Sequence, residues 1–224
     1  MALISKQRPD NTWKHRLIWD LLRSEVNGFI SQGERIVLPR LRDLVQNIIR
    51  ILSSGPCTLF GTDISDAFHQ IPLHRDERQF TATSFAKRLF LFSVLVFGAA
   101  SAPTVWGRFA AFIGRTSAAV LHDTGALMEI YVDDPIYAIP GNADQAEEIA
   151  TIATLWLCSL GFPLAWHKTE AGSSLTWIGA CVTMSHGDVT VTIPEDKVNS
   201  ILDELTAIHG LSVVTKKRLR VLSG

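Results

Sequence analysis

Apolar and polar positions divide the first quarter of the chain into a strand, a helix and a second strand. Residues 16–22 form an apolar run that predicts a strand. Pro39 then opens a helix, because the apolar residues after it stand at positions 41, 44, 45, 48 and 49, which is helical spacing. Residues 58–63 predict a strand that ends at the carboxylate of Asp63.

The middle of the chain carries a third apolar run, a second helix and a hairpin. The aromatic and β-branched residues of segment 89–97 favour a strand. After a short loop, Pro103 opens a helix that runs to about Val120. Two further apolar runs, Leu127–Val132 and Pro135–Ile139, are separated only by Asp133-Asp134. This spacing predicts a β-hairpin with both acidic residues at its tip.

The last third predicts a helix, short strands and a final amphipathic helix. Asn142 is a favourable N-cap for a helix rich in Ala, Ile and Leu, which stops at Gly161. Residues 175–183 and 189–193 predict short strands. Pro194 opens the last helix, which is closed by Gly210. The apolar face of that helix consists of Val198, Ile201, Leu202, Leu205 and Ile208.

The order of these elements from Thr58 to about Val182 is strand, helix, hairpin, helix and strand. This is the split βαβ (ferredoxin-like) pattern, an α+β fold in which an antiparallel sheet carries helices on one face. The first and third strands are neighbours in such a sheet. We therefore expect Asp63, Asp133 and Asp134 to converge at one edge of it.

Three carboxylates at one place can hold divalent cations. They repel one another and raise each other's pKa unless a cation neutralises them. Their oxygen atoms suit Mg²⁺, and two such ions can stabilise the attacking and leaving oxygens of an in-line phosphoryl transfer. The simpler interpretation of either acidic motif taken alone is a polar hairpin tip or a strand-end cap.

Composition narrows the class of protein. With 47% apolar residues the chain can bury a sizeable core, which argues against disorder. The three cysteines, Cys57, Cys158 and Cys181, form no C-x-x-C pair, so we expect structural thiols in an intracellular protein and no zinc site.

The net charge is −1, but the charged residues are unevenly distributed along the chain. Residues 1–50 hold nine Lys/Arg and five Asp/Glu, whereas residues 51–194 hold seven and thirteen. A basic N-terminal segment can follow phosphates, and an acidic middle segment can hold cations. The alternative is scattered surface charge in contact with water.

A membrane protein is one competing interpretation. The start of the chain is charged before any apolar run develops, so no secretory signal is predicted. Segment 89–107 is free of charged residues and is nearly long enough to span a bilayer, but Gly98, Ser101, Pro103 and Gly107 interrupt it. We therefore expect no membrane partner.

Several motifs, taken together and in order, resemble those of reverse transcriptases. They are Asp63-Ile-Ser-Asp-Ala-Phe68, Phe97-Gly-Ala-Ala-Ser-Ala-Pro103, Tyr131-Val-Asp-Asp134, Gly161 followed by Lys168, and Trp177-Ile-Gly-Ala180. Upstream, residues 14–20 and Val26-Asn27 resemble the fingers segment of that family. Residues 69–73 and the Phe97-Gly98 pair look more like retrotransposon enzymes than retroviral ones.

The resemblance implies a role for each matching residue. Asp63, Asp133 and Asp134 would hold two Mg²⁺ ions, with Mn²⁺ as an alternative ion, and Asp134 would be the least direct ligand. Lys168 would be a general acid that protonates the pyrophosphate leaving group. Trp177–Ala180 would position the primer. The residues expected around the incoming dNTP are Arg16, Lys14, Ile64, Ser65, Asp66, Ala67, Phe68 and Gly98.

Phe68 indicates the kind of nucleotide that is added. By resemblance, its ring would lie beneath the sugar and leave no room for a 2′-hydroxyl, so the product would be DNA. The alternative is that Phe68 is an ordinary core residue, since an aromatic ring can fill either site. Gly98 would let the backbone approach the nucleotide closely. Arg16, assisted by Lys14, would bind the triphosphate, unless both are simply solvated basic residues.

The resemblance also implies a right-hand polymerase organisation. Residues 1–56 would be a truncated fingers segment, residues 57–193 the palm with a fingers insertion at about 74–102, and residues 194–224 the beginning of a truncated thumb. The partners would be dNTP and an RNA or DNA template with its primer. The chain is expected to be part of a longer polyprotein with thumb and ribonuclease H regions.

Two points qualify this interpretation. Pro135 stands where the family usually carries a residue that can donate a strand hydrogen bond. The competing function is a catalytically silent retroelement remnant that only binds nucleic acid.

Overall fold

A computed structural model describes most of the chain. It covers residues 2–7, 11–19, 21, 23, 25–31, 33–209 and 213–216. Within these residues the elements, in chain order, are β1 (Ala2–Gln7), β2 (Trp13–Ile18), α1 (Leu41–Leu52), β3 (Cys57–Gly61), β4 (Thr83–Phe85), β5 (Arg88–Phe90), α2 (Ala102–Val120), β6 (Leu127–Tyr131), β7 (Asp134–Pro140), α3 (Ala143–Ser159), β8 (Glu170–Gly172), β9 (Ser174–Trp177), β10 (Ala180–Ser185), β11 (Asp188–Thr192) and α4 (Glu195–His209).

The central sheet has four antiparallel strands in the order β6-β7-β3-β8. With α2 between β3 and β6, and α3 between β7 and β8, this is a split βαβ topology, as predicted. Its last strand is β8, however, and not the predicted segment 175–183, which is divided between β9 and β10 of a separate sheet. The first and third strands of the unit, β3 and β7, are paired as expected, with Gly61 opposite Ile136. The end of β3 and the start of β7 therefore lie side by side.

Alternating side chains of the sheet enter two separate cores. Phe60, Tyr137 and Ile139 pack with α3 on one face. Leu59, Ile136 and Ala138 pack on the other face, against α1 and the strands β9 and β10. The expectation of helices on one face only was therefore wrong. The strands are apolar on both faces, and α1 with the separate β11-β10-β9 sheet covers the second face.

The predicted helices are present, and their ends follow the capping residues. Asn142 and Gln145 form a reciprocal capping box at the start of α3, with both hydrogen bonds at 3.0 Å. Gly161 follows the end of α3 with φ +84°, as a residue after a helix C-terminus often does. Helix α1 begins at Leu41, so Pro39 precedes the helix and does not lie in its first turn. Gly210 lies outside the described residues.

Two other strand predictions, near the N-terminus and after β4, also need correction. The first strand is shifted towards the N-terminus, since β2 covers Trp13–Ile18, whereas Asp20 and Leu22 lie outside the described residues. The strand predicted over 89–97 was wrong after Phe90. Residues 91–97 form one isolated β-bridge, between Val94 and Pro72. They do not continue the strand, because their apolar side chains pack into two different cores.

No helix among the described residues is both long and apolar enough to cross a bilayer. The uncharged segment 89–107 is divided between the end of β5, an irregular stretch and the first turns of α2.

Candidate active site

The β6–β7 hairpin places the two neighbouring aspartates differently. Tyr131 pairs with Asp134, so the two turn residues are Val132 and Asp133. Asp133 therefore lies at the tip, whereas Asp134 is the first residue of β7, which corrects the prediction that both lie at the tip. Val132 has φ +58°, which is an uncommon conformation for a β-branched residue.

Pro135 fits this hairpin without losing a strand bond to β6. Because Tyr131 and Asp134 close a two-residue turn, the next pair, Ile130 and Pro135, belongs to the non-hydrogen-bonded type on that side. On its other side, the carbonyl of Pro135 accepts a hydrogen bond from the amide of Thr62 at 3.1 Å. The bonds between β6 and β7 are therefore intact, and proline loses only the reciprocal bond from residue 135 to the carbonyl of Thr62.

Backbone hydrogen bonds fix Asp63 beside the hairpin tip. Strand β3 ends at Gly61, two residues earlier than predicted. The amide of Ile64 then donates to the carbonyl of Asp133 at 2.8 Å. The carbonyl of Asp63 accepts from the amide of Ala165, also at 2.8 Å. Asp63 is held from both sides by the main chain, so its position does not depend on its own side chain.

A small cleft opens at this point, which we call the carboxylate cleft. Its lining residues are Asp63, Asp66, Ala67, Phe68, Phe97, Val132, Asp133 and Lys168. The Nζ atom of Lys168 lies 2.5 Å from Oδ2 of Asp63. The structure thus brings together Asp63, Asp133 and Lys168, whereas Asp134 lies beside the cleft and does not line it.

The negative charges of the other two carboxylates nevertheless contribute to the pKa shift of Asp134. Burial, followed by the negative charges of Asp63 and Asp133, raises the pKa of Asp134 to about 7, and Lys168 opposes the shift. The carbonyl of Asp134 accepts a hydrogen bond from Nε1 of Trp177 at 3.1 Å. The three aspartates therefore form one electrostatic group, as the topology predicted.

This group is suited to hold Mg²⁺ through a small number of protein ligands. Among the described residues no three His, Cys, Asp or Glu side chains are arranged as a ready-made metal cage. Mg²⁺ needs no such cage, because it usually takes one or two carboxylates and completes its shell with water and phosphate oxygens. Asp63 and Asp133 provide two carboxylates in one cleft, and their negative charges contribute, after burial, to the raised pKa of Asp134.

An aromatic cluster forms the wall next to the carboxylates. The ring of Phe68 meets that of Phe97 edge to face at 5.0 Å and that of Trp106 at 6.5 Å. Nε1 of Trp106 donates to the carbonyl of Val132 at 2.6 Å, which ties α2 to the hairpin tip. Phe68 is half-buried and lines the cleft, so its ring packs against Phe97 and Trp106 and is also accessible from the cleft.

The segment between Asp63 and Phe68 is divided between core and cleft. The side chain of Ile64 is fully buried in the core around α2 and does not line the cleft. Ala67 is buried and lines the cleft, and Asp66 is an exposed residue of the lining with φ +50°. Ser65 is half-buried, and its amide donates to the carbonyl of Pro163 at 2.8 Å.

Gly98 is held by a segment far away in sequence. It has φ +106°, and a Cβ atom at this position would stand 1.9 Å from the carbonyl oxygen of Trp19. The side chain of Asn27 donates to the carbonyl of Gly98 and accepts from the amide of Ala100, both at 2.9 Å. The need for glycine thus comes from Trp19, and its role towards a nucleotide stays a prediction.

The two basic residues predicted to bind the triphosphate cannot be placed fully. The backbone of Lys14 and Arg16 lies in β2, opposite Lys6 and Ile4 respectively. The side chains of both residues lie outside the part of the chain that the structure describes.

Sequence reasoning assigned no role to three residues that shape the site. These are Asn27, Trp106 and Phe97. Asn27 and Phe97 stand inside the motifs quoted above, so their place in a motif was an available signal. No comparable signal marked Trp106, which is one apolar position of a long helix.

The fold and the site together define a class of protein. A split βαβ sheet carries one aspartate after its first strand and two at its hairpin, next to a lysine and an aromatic wall. Carboxylates gathered in this way are typical of proteins that bind divalent cations.

A comparison with family models identifies the family. The model described as reverse transcriptase (RNA-dependent DNA polymerase) matches residues 20–183. The chain belongs to the reverse transcriptase family. No curated protein matches the sequence.

Solved structures of foamy virus enzymes share the fold. The chain is similar to the foamy viral protease-reverse transcriptase in complex with dsDNA, with a TM-score of 0.65 and 16% identity over 99% of this chain and 41% of that one. For the same enzyme with an RNA/DNA hybrid the values are 0.64 and 17%, over 99% and 26%. The chain thus spans less than half the length of these relatives, and identities this low show the fold alone.

Proposed function

We propose that this chain is the polymerase core of a reverse transcriptase that adds dNTPs to the 3′ end of a primer. The observation that carries the proposal is the meeting of Asp63 and Asp133 in one cleft beside Phe68. The foamy viral relatives were solved with dsDNA and with an RNA/DNA hybrid, which supports a template with its primer as the partner.

Asp63 and Asp133 would hold two Mg²⁺ ions, or Mn²⁺ in their place, and Asp134 would contribute from beside the cleft. When bound, such ions neutralise charge on the phosphates and activate the attacking oxygen. The backbone bonds to both sides of Asp63 hold its main chain next to that of Asp133. Positioning of this kind supplies much of the rate in phosphoryl transfer.

Phe68 would select deoxynucleotides by its bulk. Its ring is fixed from behind by Phe97 and Trp106, so it cannot easily move aside for a 2′-hydroxyl. Lys168 would donate a proton to the leaving pyrophosphate from the same cleft. Arg16 and Lys14 in β2 would bind the triphosphate, together with the backbone near Gly98. Trp177–Ala180, the turn between β9 and β10, would position the primer.

The same proposal assigns parts of a right hand. Residues 1–56 would be fingers, residues 57–193 palm with a fingers insertion at about 74–102, and residues from 194 onwards the start of a thumb. We also propose a retrotransposon-type origin within a longer polyprotein, supported by the resemblance of residues 69–73 and the Phe97-Gly98 pair.

A primer-extension assay tests the function. The purified chain is given Mg²⁺, dNTPs and a primer annealed to RNA or DNA templates of the same sequence. We expect extension on both templates, and Asp133→Asn should reduce the rate by about 10³-fold or more, since it removes a direct ligand of the reacting metal.

Asp123→Asn is the matched control, because Asp123 is a fully exposed aspartate in the turn before β6. It should extend like the wild-type chain. If the wild-type chain binds primed template but never extends it, the protein is a silent nucleic-acid-binding remnant and the polymerase proposal is wrong.

A further inference from the structure

The Lys168 side chain forms an ion pair with Asp63, whose carboxylate the proposed function assigns to a metal ion. Its Nζ atom is 2.5 Å from Oδ2 of Asp63, and the pair spans 105 residues of sequence. The Asp63 side chain is 22% exposed and that of Lys168 is 46% exposed. The pair is therefore open to solvent on the lysine side.

The local backbone holds both partners of this ion pair. The amide of Lys168 donates to the carbonyl of Ala165, and the amide of Ala165 donates to the carbonyl of Asp63, each at 2.8 Å. A short 3-10 helix, Trp166–Lys168, thus starts from the main chain of Asp63 and returns its last side chain to the carboxylate of the same residue. The fold therefore places the backbone of Lys168 where its side chain can reach the Asp63 carboxylate.

The charges around the cleft explain why a cation is needed there. Its described lining contains three carboxylates, Asp63, Asp66 and Asp133, and Lys168 is the one basic residue among them. Without a counter-ion the carboxylates would repel one another across this small cleft.

We propose that Lys168 is the resident counter-ion of Asp63, and that a divalent cation must displace its ammonium group to bind there. The inference rests on the proposed function, because it takes Asp63 to be a metal ligand. An ammonium group and a divalent cation cannot both stay in contact with one carboxylate oxygen without strong repulsion. Once displaced, the ammonium group stays on the rim of the same cleft, where it can meet the phosphates of a bound nucleotide.

The size of the effect follows from the exposure of the pair. A partly exposed ion pair is weak, so its competition with a metal ion should lower the affinity for that ion by about threefold to tenfold. Lys168→Gln should therefore bind Mn²⁺ more tightly than the wild-type chain by that factor. Lys168→Arg should bind it with nearly wild-type affinity, because it keeps a cation against Asp63.

The experiment measures Mn²⁺ binding without nucleotide or nucleic acid, from the electron paramagnetic resonance signal of the free ion. Lys87→Gln is the charge control, since it removes one exposed lysine from the β4–β5 turn and should leave the affinity unchanged. Asp63→Asn should bind Mn²⁺ with the same affinity whether or not Lys168 is also changed to Gln. NMR of ¹⁵N-labelled lysine side chains gives a second readout, since the Lys168 ammonium resonance should shift when Mg²⁺ is added.

Equal Mn²⁺ affinity of the wild-type chain and Lys168→Gln, with no shift of the Lys168 resonance, would overturn the counter-ion proposal and leave the polymerase proposal intact. A complete lack of Mn²⁺ binding by the wild-type chain and by Lys168→Gln would also overturn the counter-ion proposal, whereas the polymerase proposal is decided by primer extension. If Lys168→Gln binds Mn²⁺ more tightly but the wild-type chain never extends a primer, the counter-ion proposal is supported and the polymerase proposal is wrong.

Discussion

Two hairpins of this molecule share a turn length of two residues and differ in almost everything else. The β6–β7 hairpin turns at Val132 and Asp133, and the β4–β5 hairpin turns at Ala86 and Lys87. Both turn residues of the smaller hairpin have positive φ, +50° at Ala86 and +60° at Lys87, whereas in the β6–β7 turn Val132 has positive φ, +58°, and Asp133 does not. The first hairpin lies within a four-stranded sheet, whereas the second is a separate two-stranded sheet.

The difference lies in what surrounds each hairpin. Side chains of β7 such as Ile136 and Tyr137 enter two cores, whereas Phe85 and Leu89 of the smaller hairpin are exposed. The turn reverses the chain in both hairpins, but only the tip of the β6–β7 hairpin is fixed in position by the packing around its strands. A catalytic carboxylate needs such a fixed position, which is why the candidate site stands on the buried hairpin.

The largest expected difference between the hairpins is in stability. Ile136 is 1% exposed and Leu89 is 70% exposed. Ile136→Ala should lower the free energy of unfolding by about 2–5 kcal/mol, because it leaves a cavity in the core between the sheet and α1. Leu89→Ala should change it by less than about 0.5 kcal/mol. Urea unfolding of both variants checks this, and comparable losses would show that the small hairpin is packed against the body.

A second difference concerns pH and the residues that close the two turns. Burial raises the folded-state pKa of Asp134 to about 7, above its unfolded value. The protonated form is therefore favoured by folding, so stability is lost as pH rises from about 4 to about 7. Asp134→Asn should remove this loss, and its advantage over the wild-type chain should grow through that range.

Arg88 closes the β4–β5 turn opposite Phe85 and provides the matched control. Arg88→Gln should show the wild-type pH dependence in the same thermal unfolding series. An Asp134→Asn variant whose stability changes with pH as the wild-type chain does would contradict the assignment.

The smallest expected effect is local to the exposed hairpin. Asn tolerates positive φ better than Ala, so Ala86→Asn should stabilise this turn by up to about 1 kcal/mol. Since the hairpin forms a separate sheet, it should open independently of the central sheet. Hydrogen exchange at Phe85 and Arg88 should slow by up to about fivefold, whereas exchange in β6 and β7 stays unchanged. Equal slowing in both hairpins would show that they open together.

Local signals determined a large part of this protein. The cap at Asn142, the proline near the start of α2 and the two-residue spacing between apolar runs predicted α3, α2 and the β6–β7 hairpin. They also predicted the pairing of β3 with β7, which brings Asp63 to the hairpin. These features depend on neighbours within a few residues or on a topology with few alternatives, so a single sequence contains them.

Only the tertiary structure decided the rest. The cover of the second sheet face, the irregular path of residues 91–97 and the position of Gly98 against Trp19 all depend on segments distant in sequence. Lys168 meets Asp63 across 105 residues, and Asn27 meets Gly98 across 71. No periodicity or capping residue predicts such contacts, because they form only when packed elements bring distant polar groups together. Those groups then form hydrogen bonds or ion pairs with each other in the folded chain.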